Sequence, residues 1–143
     1  MTTLHIVLGI AVLVTNAVAA GWGSVAWLRH DPSIYFWYFL RTAQVAVVAE
    51  VLLGGILLAR GDRAGDDLHF LYGIGALVVA LVTEGLRVGA VQRETEGVED
   101  VDSLEHSEQV QIARRVVLRE MGIMTVGTLL ILTLSIRAFA TGG

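Results

Sequence analysis

Two histidines occupy equivalent positions in a repeated sequence pattern. Segments 4–14 and 68–78 both read Leu-His-x-x-x-Gly-Ile-small-x-Leu-Val. They contain His5 and His69, and in each segment a glycine follows the histidine four residues later. Imidazole is a ligand for haem iron, copper and zinc, and a glycine one helical turn away leaves space that a side chain would fill. The repeat therefore predicts a site built on two paired histidines.

The elements that must position these histidines are transmembrane helices. The chain is 55 % hydrophobic and 17 % charged, and its mean hydropathy is +0.67, which is typical of a membrane protein. Its apolar residues form four blocks, each long enough to cross the ~30 Å hydrocarbon layer as a helix. The sequence predicts a single transmembrane domain, an all-α four-helix bundle, with helices at 4–28, 34–59, 68–92 and 116–139.

An acidic loop, 93–115, separates the third and fourth predicted helices. We expect most of this loop to be solvated surface, with docking of a partner as the alternative. Within it, a helix is expected to start near Asp102 or Ser103 and to run into the fourth transmembrane helix.

The repeat extends beyond the histidines. A Leu-Arg pair near the start of helix 2, at Arg41, recurs near the start of helix 4, at Arg119, and Arg60 and Arg137 close the two helices. This pattern predicts a tandem duplication of a helical hairpin, helices 1–2 and helices 3–4, as in transporters with parallel repeats. In an up-down-up-down bundle, His5 and His69 would then lie at the same depth on diagonal helices.

Arginine placement predicts the orientation in a bacterial cell membrane. The chain has ten basic residues, all arginine, and this lysine-free, Ala/Val/Gly-rich composition is associated with GC-rich bacterial genomes. Arg60, Arg63 and Arg137 flank one side and the other seven flank the opposite side. Because positive residues concentrate on the cytoplasmic side, we expect loops 29–33 and 93–115 in the cytoplasm and both termini outside. The net charge of −4 and the lack of a basic face argue against nucleic acid as a partner.

Haem b is the cofactor that best matches the paired histidines. His5 and His69 would be the axial ligands, and Gly9 and Gly73 would leave room for the flat macrocycle. The propionates would lie near the outer surface, where Arg60 and Arg137 have the charge to receive them.

The absence of cysteine excludes thiolate metal sites and covalent c-type attachment. Two alternatives to haem remain open. The histidines could instead bind a copper or zinc ion that Asp66 and Asp67 complete, or they could hold no cofactor, since small-residue faces also serve simple helix packing.

Four polar residues lie within the predicted spans. Glu50 is near mid-membrane, where an ionisable group suggests function, with Asn16 or a backbone carbonyl as its expected partner. Arg41 and Glu84 fall at one depth on neighbouring helices, so the sequence predicts an ion pair between them, with Arg87 one turn from Glu84.

The His-x-x-x-Gly elements and the bundle pattern resemble those of four-helix membrane cytochromes b, in which paired histidines on facing helices hold a haem above small residues. This resemblance implies haem binding and electron transfer. The His-x-x-Tyr-Gly element at His69 is also similar to that of small actinobacterial four-helix membrane proteins, and this likeness implies no activity.

Three functions follow as expectations. The first is a membrane b-type haem protein in electron transfer, acting as a small subunit or homo-oligomer with a redox partner. The second is a structural or assembly subunit of a larger respiratory complex, with incidental histidines. The third is a small transporter or an ion pathway that uses Glu50 and Asn16. Whether the protein is an enzyme stays open.

Overall fold

The fold is an all-α bundle of four long helices. In the computed structural model, which describes residues 3–62, 66–97 and 101–142, each of the four is long and apolar enough to span a membrane. The predicted fold class is therefore confirmed. Arg63 and the middle of the acidic loop, 98–100, lie outside the described residues. The helices are α1 Thr3–Leu28, α2 Ile34–Ala59, α3 Leu68–Glu94 and α4 His106–Thr141, with a short 3₁₀ turn, Val101–Ser103, before α4.

Helix α4 begins ten residues before the apolar block that predicted it. The predicted helix start at residue 116 followed hydropathy. The residues just before it include Glu, Gln, Ala and Arg, which favour helix although most of them are polar. The expected helix from Asp102 is instead interrupted, because Glu105 is extended (φ −61°, ψ 146°). The Gln109 side-chain amide donates to the backbone oxygens of Asp102 (3.3 Å) and Leu104 (3.1 Å) and so ties the 3₁₀ turn to the start of α4.

The helices are arranged so that α1 and α3 are diagonal partners. Helix α1 packs against α2 and α4, and α3 packs extensively against α4 but much less against α2. This confirms the predicted diagonal relation of the two histidine-bearing helices. We call the end where α1 and α3 begin the histidine end and the opposite end the loop end.

Glycines allow the close approaches of α4. A Cβ added at Gly127 would lie 2.6 Å from the Thr83 side chain of α3, and one at Gly122 would lie 2.7 Å from the Trp27 ring of α1. Both distances are too short for any side chain. Small residues at helix interfaces are therefore what bring α4 against both of its neighbours, as is common in membranes.

The buried apolar residues form two clusters. One lies towards the loop end and contains Ala26, Phe36, Leu40, Met121 and Met124. The other crosses the middle of the bundle and contains Val12, Val47, Ala76 and Ile131; we call it the apolar layer. Large apolar side chains cover the outside of all four helices, which suits a lipid environment.

The connection between α1 and α2 is held at His30. This residue has φ +53°, and the N–H of Asp31 donates to the Ala26 carbonyl (3.0 Å), which is the pattern of a Schellman helix end. Arg114 of α4 donates to the His30 carbonyl (3.0 Å). The turn is thereby fixed to α4 as well as to its own helix.

Candidate functional site

The two repeat histidines face each other across the bundle. The ring centres of His5 and His69 are 5.7 Å apart, and the ring planes meet at 75°. His5 is buried, and its ring carbon Cε1 would lie 3.5 Å from a Cβ added at Gly54 of α2. The predicted juxtaposition of the two imidazoles is therefore present, and we call it the paired-histidine site.

Backbone oxygen at the end of α4 fixes the His69 ring. Nδ1 of His69 lies 2.8 Å from the Ala138 carbonyl oxygen. Because a carbonyl can only accept, Nδ1 carries the proton and the lone pair resides on Nε2. Ala138 is in the last turn of α4, and its carbonyl oxygen also accepts the Thr141 hydroxyl (3.3 Å), so the helix end supplies the acceptor for His69. The sequence contains no signal for this contact, since any residue type provides the same carbonyl.

Glu50 of α2 faces the other imidazole. Its Oε1 lies 3.1 Å from Nδ1 of His5. Its second oxygen, Oε2, is buried and has no hydrogen-bond partner in the described part of the chain. The sequence suggested Asn16 or a backbone carbonyl as the partner of Glu50, but the Asn16 amide donates to the Val12 carbonyl of its own helix (2.9 Å). The structure thus joins Glu50 to the paired histidines.

The two repeat glycines differ in what surrounds them. A Cβ added at Gly9 would lie 3.1 Å from Oε1 of Glu50, so the Glu50 carboxylate occupies the space that the sequence assigned to a macrocycle. A Cβ added at Gly73 would meet no described atom within 4 Å. Of the two predicted openings, the one at Gly73 is the unfilled one.

Two cavities adjoin the paired-histidine site. One, of about 230 Å³, extends towards the end of α4 and down to the apolar layer. The other, of about 280 Å³, extends between α2 and α3, the neighbours that pack least closely. Their walls are mainly apolar, and the residues that line both are His5, Val51, Glu50, His69, Gly73 and Ala138.

The predicted site for a bare metal ion finds no ligand set. Among the described residues, no group of three or more His, Cys, Asp or Glu side chains is placed to hold a metal ion. Asp66, one of the suggested extra ligands, accepts the backbone N–H of Leu68 at Oδ1 (2.9 Å) and so serves the start of α3. Of the predicted ligand set, the two imidazoles of His5 and His69 are the groups that the structure brings together.

Haem iron needs only two ligands from the protein, because the macrocycle supplies four nitrogens. If haem binds, His5 and His69 are the residues that would hold its iron, since their ring centres are 5.7 Å apart. Nδ1 of His69 has the Ala138 carbonyl as its acceptor, and Nδ1 of His5 lies 3.1 Å from the Glu50 carboxylate, so Nε2 is the nitrogen that His69 would offer to a metal. The residues present thus fit two axial ligands.

The predicted propionate partners are Arg60 and Arg137. Both are exposed at the histidine end, where α2 and α4 finish. Among the described residues, neither guanidinium group takes part in an ion pair. Neither arginine lines the two cavities, whereas the carboxylate of Asp62 lines the second one.

A second polar cluster lies towards the loop end and ties three helices together. Arg41 of α2 is paired with Glu84 of α3, as predicted. Gln44 also donates to Glu84 (2.8 Å), and Arg87 bridges Glu84 (2.7 Å) to Glu120 of α4 (3.1 Å). The sequence reasoning missed Glu120, although its place at the depth of Arg87 was available from counting helical turns.

The apolar layer separates this cluster from the paired-histidine site. Val12, Val47, Ala76 and Ile131 are each no more than 4 % exposed. They lie between Glu50 and the charged groups near the loop end, so no continuous line of polar side chains joins the two through the described core.

In comparisons with known proteins, no protein family, no curated protein and no solved structure matches the chain.

Proposed function

We propose that the protein is a membrane haem b protein that takes part in electron transfer, with His5 and His69 as the axial ligands. The observation that carries the proposal is the meeting of the two rings at 5.7 Å with oxygen at both Nδ1 atoms. Haem, when bound, would supply a one-electron redox couple. The chain itself would hold the iron, orient the ligands and exclude water.

The ligand orientation follows from the acceptors. The Ala138 carbonyl holds the proton of His69 on Nδ1, which leaves Nε2 as the nitrogen that can bind a metal. Glu50 sits in the corresponding position beside His5, and a carboxylate there increases the basicity of the imidazole. Glu50 is therefore a positioning residue in this proposal.

The unfilled space at Gly73 and the two cavities support an occupant wider than an ion. Their apolar walls suit the face of a macrocycle, and the exposed guanidinium groups of Arg60 and Arg137 at the histidine end have the charge to receive its carboxylates. Because the cavity between α2 and α3 lies at the weakest contact between neighbouring helices, a bound group would also contribute packing there.

The ion pathway has less support, because the apolar layer interrupts it. Glu50 has a buried oxygen without a described partner, which suits a proton carrier, but the residues below it are Val12, Val47 and Ala76. A purely structural subunit is favoured by no particular contact. It is the outcome if the test below fails.

The test is an optical and stoichiometric haem titration of the full chain purified in mild detergent. We expect the protein to bind one haem with a low-spin spectrum, and His5→Ala and His69→Ala each to lose that spectrum. His106→Ala is the matched control, since His106 is exposed at the start of α4, and it should behave like the wild type. Absence of a Soret band after addition of hemin, or equal binding by all three variants, would refute the proposal.

A further inference from the structure

An apolar groove runs along the outside of α3 and α4 in the half of the bundle nearest the loop end. Its volume is about 650 Å³. Helix α3 contributes Val78, Val82 and Leu86, and α4 contributes the stretch from Leu118 to Leu130. Twelve residues of helix correspond to about 18 Å, so the groove has about the length of one leaflet of the ~30 Å hydrocarbon layer.

Small residues and one aromatic ring shape the groove. Gly122 has no side chain, and the Trp27 ring of α1 lies against it and also lines the groove. Thr83 turns its hydroxyl back to the carbonyls of Val79 (2.8 Å) and Ala80 (3.1 Å) of its own helix. The groove therefore offers apolar surface and almost no hydrogen-bonding groups, which matches a hydrocarbon chain.

Two arginines lie at the end of the groove nearest the acidic loop. Arg119 lines it, and Arg115 is one turn away on the same helix. Glu94 is paired with both, with Oε2 3.4 Å from Arg115 Nε. One carboxylate thus serves two guanidinium groups, whose side chains stay 55 % and 40 % exposed. Arg114 adds a third cation, and its described acceptor is the uncharged carbonyl of His30.

We propose that this groove binds an anionic phospholipid, with one acyl chain along α3 and α4 and the phosphate at Arg115 and Arg119. Arginines near a membrane surface attract anionic headgroups, and Arg is suited to bind phosphate with two hydrogen bonds. A second copy of the chain is a poorer occupant. In a twofold contact between parallel copies, the arginines of both would lie at the same depth and repel each other.

The experiment measures lipid retained by the full chain. Protein in mild detergent is mixed with phosphatidylglycerol or phosphatidylcholine of identical acyl chains, and bound lipid is counted by native mass spectrometry. We expect one phosphatidylglycerol to be retained at least tenfold more strongly than phosphatidylcholine. The double substitution Arg115→Gln and Arg119→Gln should abolish the preference, and Arg60→Gln, an exposed arginine at the opposite end, should preserve it.

Two further variants examine the groove itself. Val126→Trp fills it from the exposed surface, and we expect it to release the tightly bound lipid while the helical circular dichroism stays unchanged. Val82→Cys introduces the only thiol in a cysteine-free chain, so a disulfide-linked dimer in membranes would show that a second copy occupies the groove. That dimer, or equal retention of the two lipids, would overturn the proposal. The result does not depend on haem.

Discussion

Replacement of Gly73 by alanine separates a purely structural role of the second repeat glycine from a role in holding a cofactor. A Cβ at Gly73 meets no described atom within 4 Å, and the same holds for Gly85 three turns along α3. Gly73 lines both cavities at the paired-histidine site, whereas Gly85 lines neither. The two substitutions are therefore matched in local packing and differ in their relation to the site.

Without a cofactor, both substitutions should stabilise the protein. Alanine is favoured over glycine within a helix by about 0.5–1 kcal/mol, and neither new methyl group displaces a neighbour. We expect the free energy of unfolding of Gly73→Ala and Gly85→Ala to rise by similar amounts, as measured by equilibrium unfolding of the detergent-solubilised chain in SDS.

Haem binding should distinguish the two variants. The methyl group at residue 73 would extend into space that the macrocycle needs, and forcing extra volume into a packed site costs about 1–3 kcal/mol. This corresponds to haem affinity roughly 5- to 150-fold weaker. Gly85→Ala should bind haem as the wild type does. The assay is titration with hemin, followed at the Soret band.

The reasoning fails if the two variants bind haem equally while the wild type binds it through His5 and His69. Such a result would mean that the macrocycle lies away from Gly73, on the side of α4. A loss of stability in Gly73→Ala without haem would contradict the open space seen beside that glycine.

Two other predictions concern Glu50 and the threonines of α4. If Glu50 orients His5, haem affinity should fall by about 10- to 100-fold in Glu50→Leu. It should fall by less in Glu50→Gln, which keeps an oxygen acceptor. Titration with hemin measures both affinities, and equal affinities in the two variants would contradict this role. Thr125 Oγ1 is buried without a hydrogen-bond partner among the described residues, so Thr125→Val should leave the free energy of unfolding unchanged or higher. Thr128 donates to the Thr125 carbonyl (2.8 Å), so Thr128→Val should lower the free energy of unfolding by about 0.5–1.5 kcal/mol. A larger loss of stability in Thr125→Val than in Thr128→Val would refute this prediction.

The sequence was sufficient for the features that depend on helical periodicity and depth. The repeat placed His5 and His69 at one level, and the alternation of helix directions placed them on diagonal helices. Counting 1.5 Å per residue also brought Arg41 to the depth of Glu84. In each case the side chains lie on helices whose positions in the bundle follow from their order along the chain.

The features that the sequence did not provide depend on lateral packing. The sequence suggested Asn16 or a backbone carbonyl as the partner of Glu50, but its carboxylate instead lies where Gly9 has no side chain. The partner of Glu50 depends on which helix faces meet, and hydropathy does not predict this. The Ala138 carbonyl could not be predicted either, because a backbone acceptor is identified only by where its helix ends.

The unbroken course of α4 has a mechanical consequence. The helix is 36 residues long, about 54 Å, and therefore reaches well beyond a ~30 Å hydrocarbon layer. Its first turns stand next to the acidic loop, and its last turn carries the carbonyl that holds His69. If α4 tilts as a rigid helix about one end, each degree of tilt displaces its other end by about 1 Å. A tilt of α4 relative to α3 would therefore move the Ala138 carbonyl that accepts from His69.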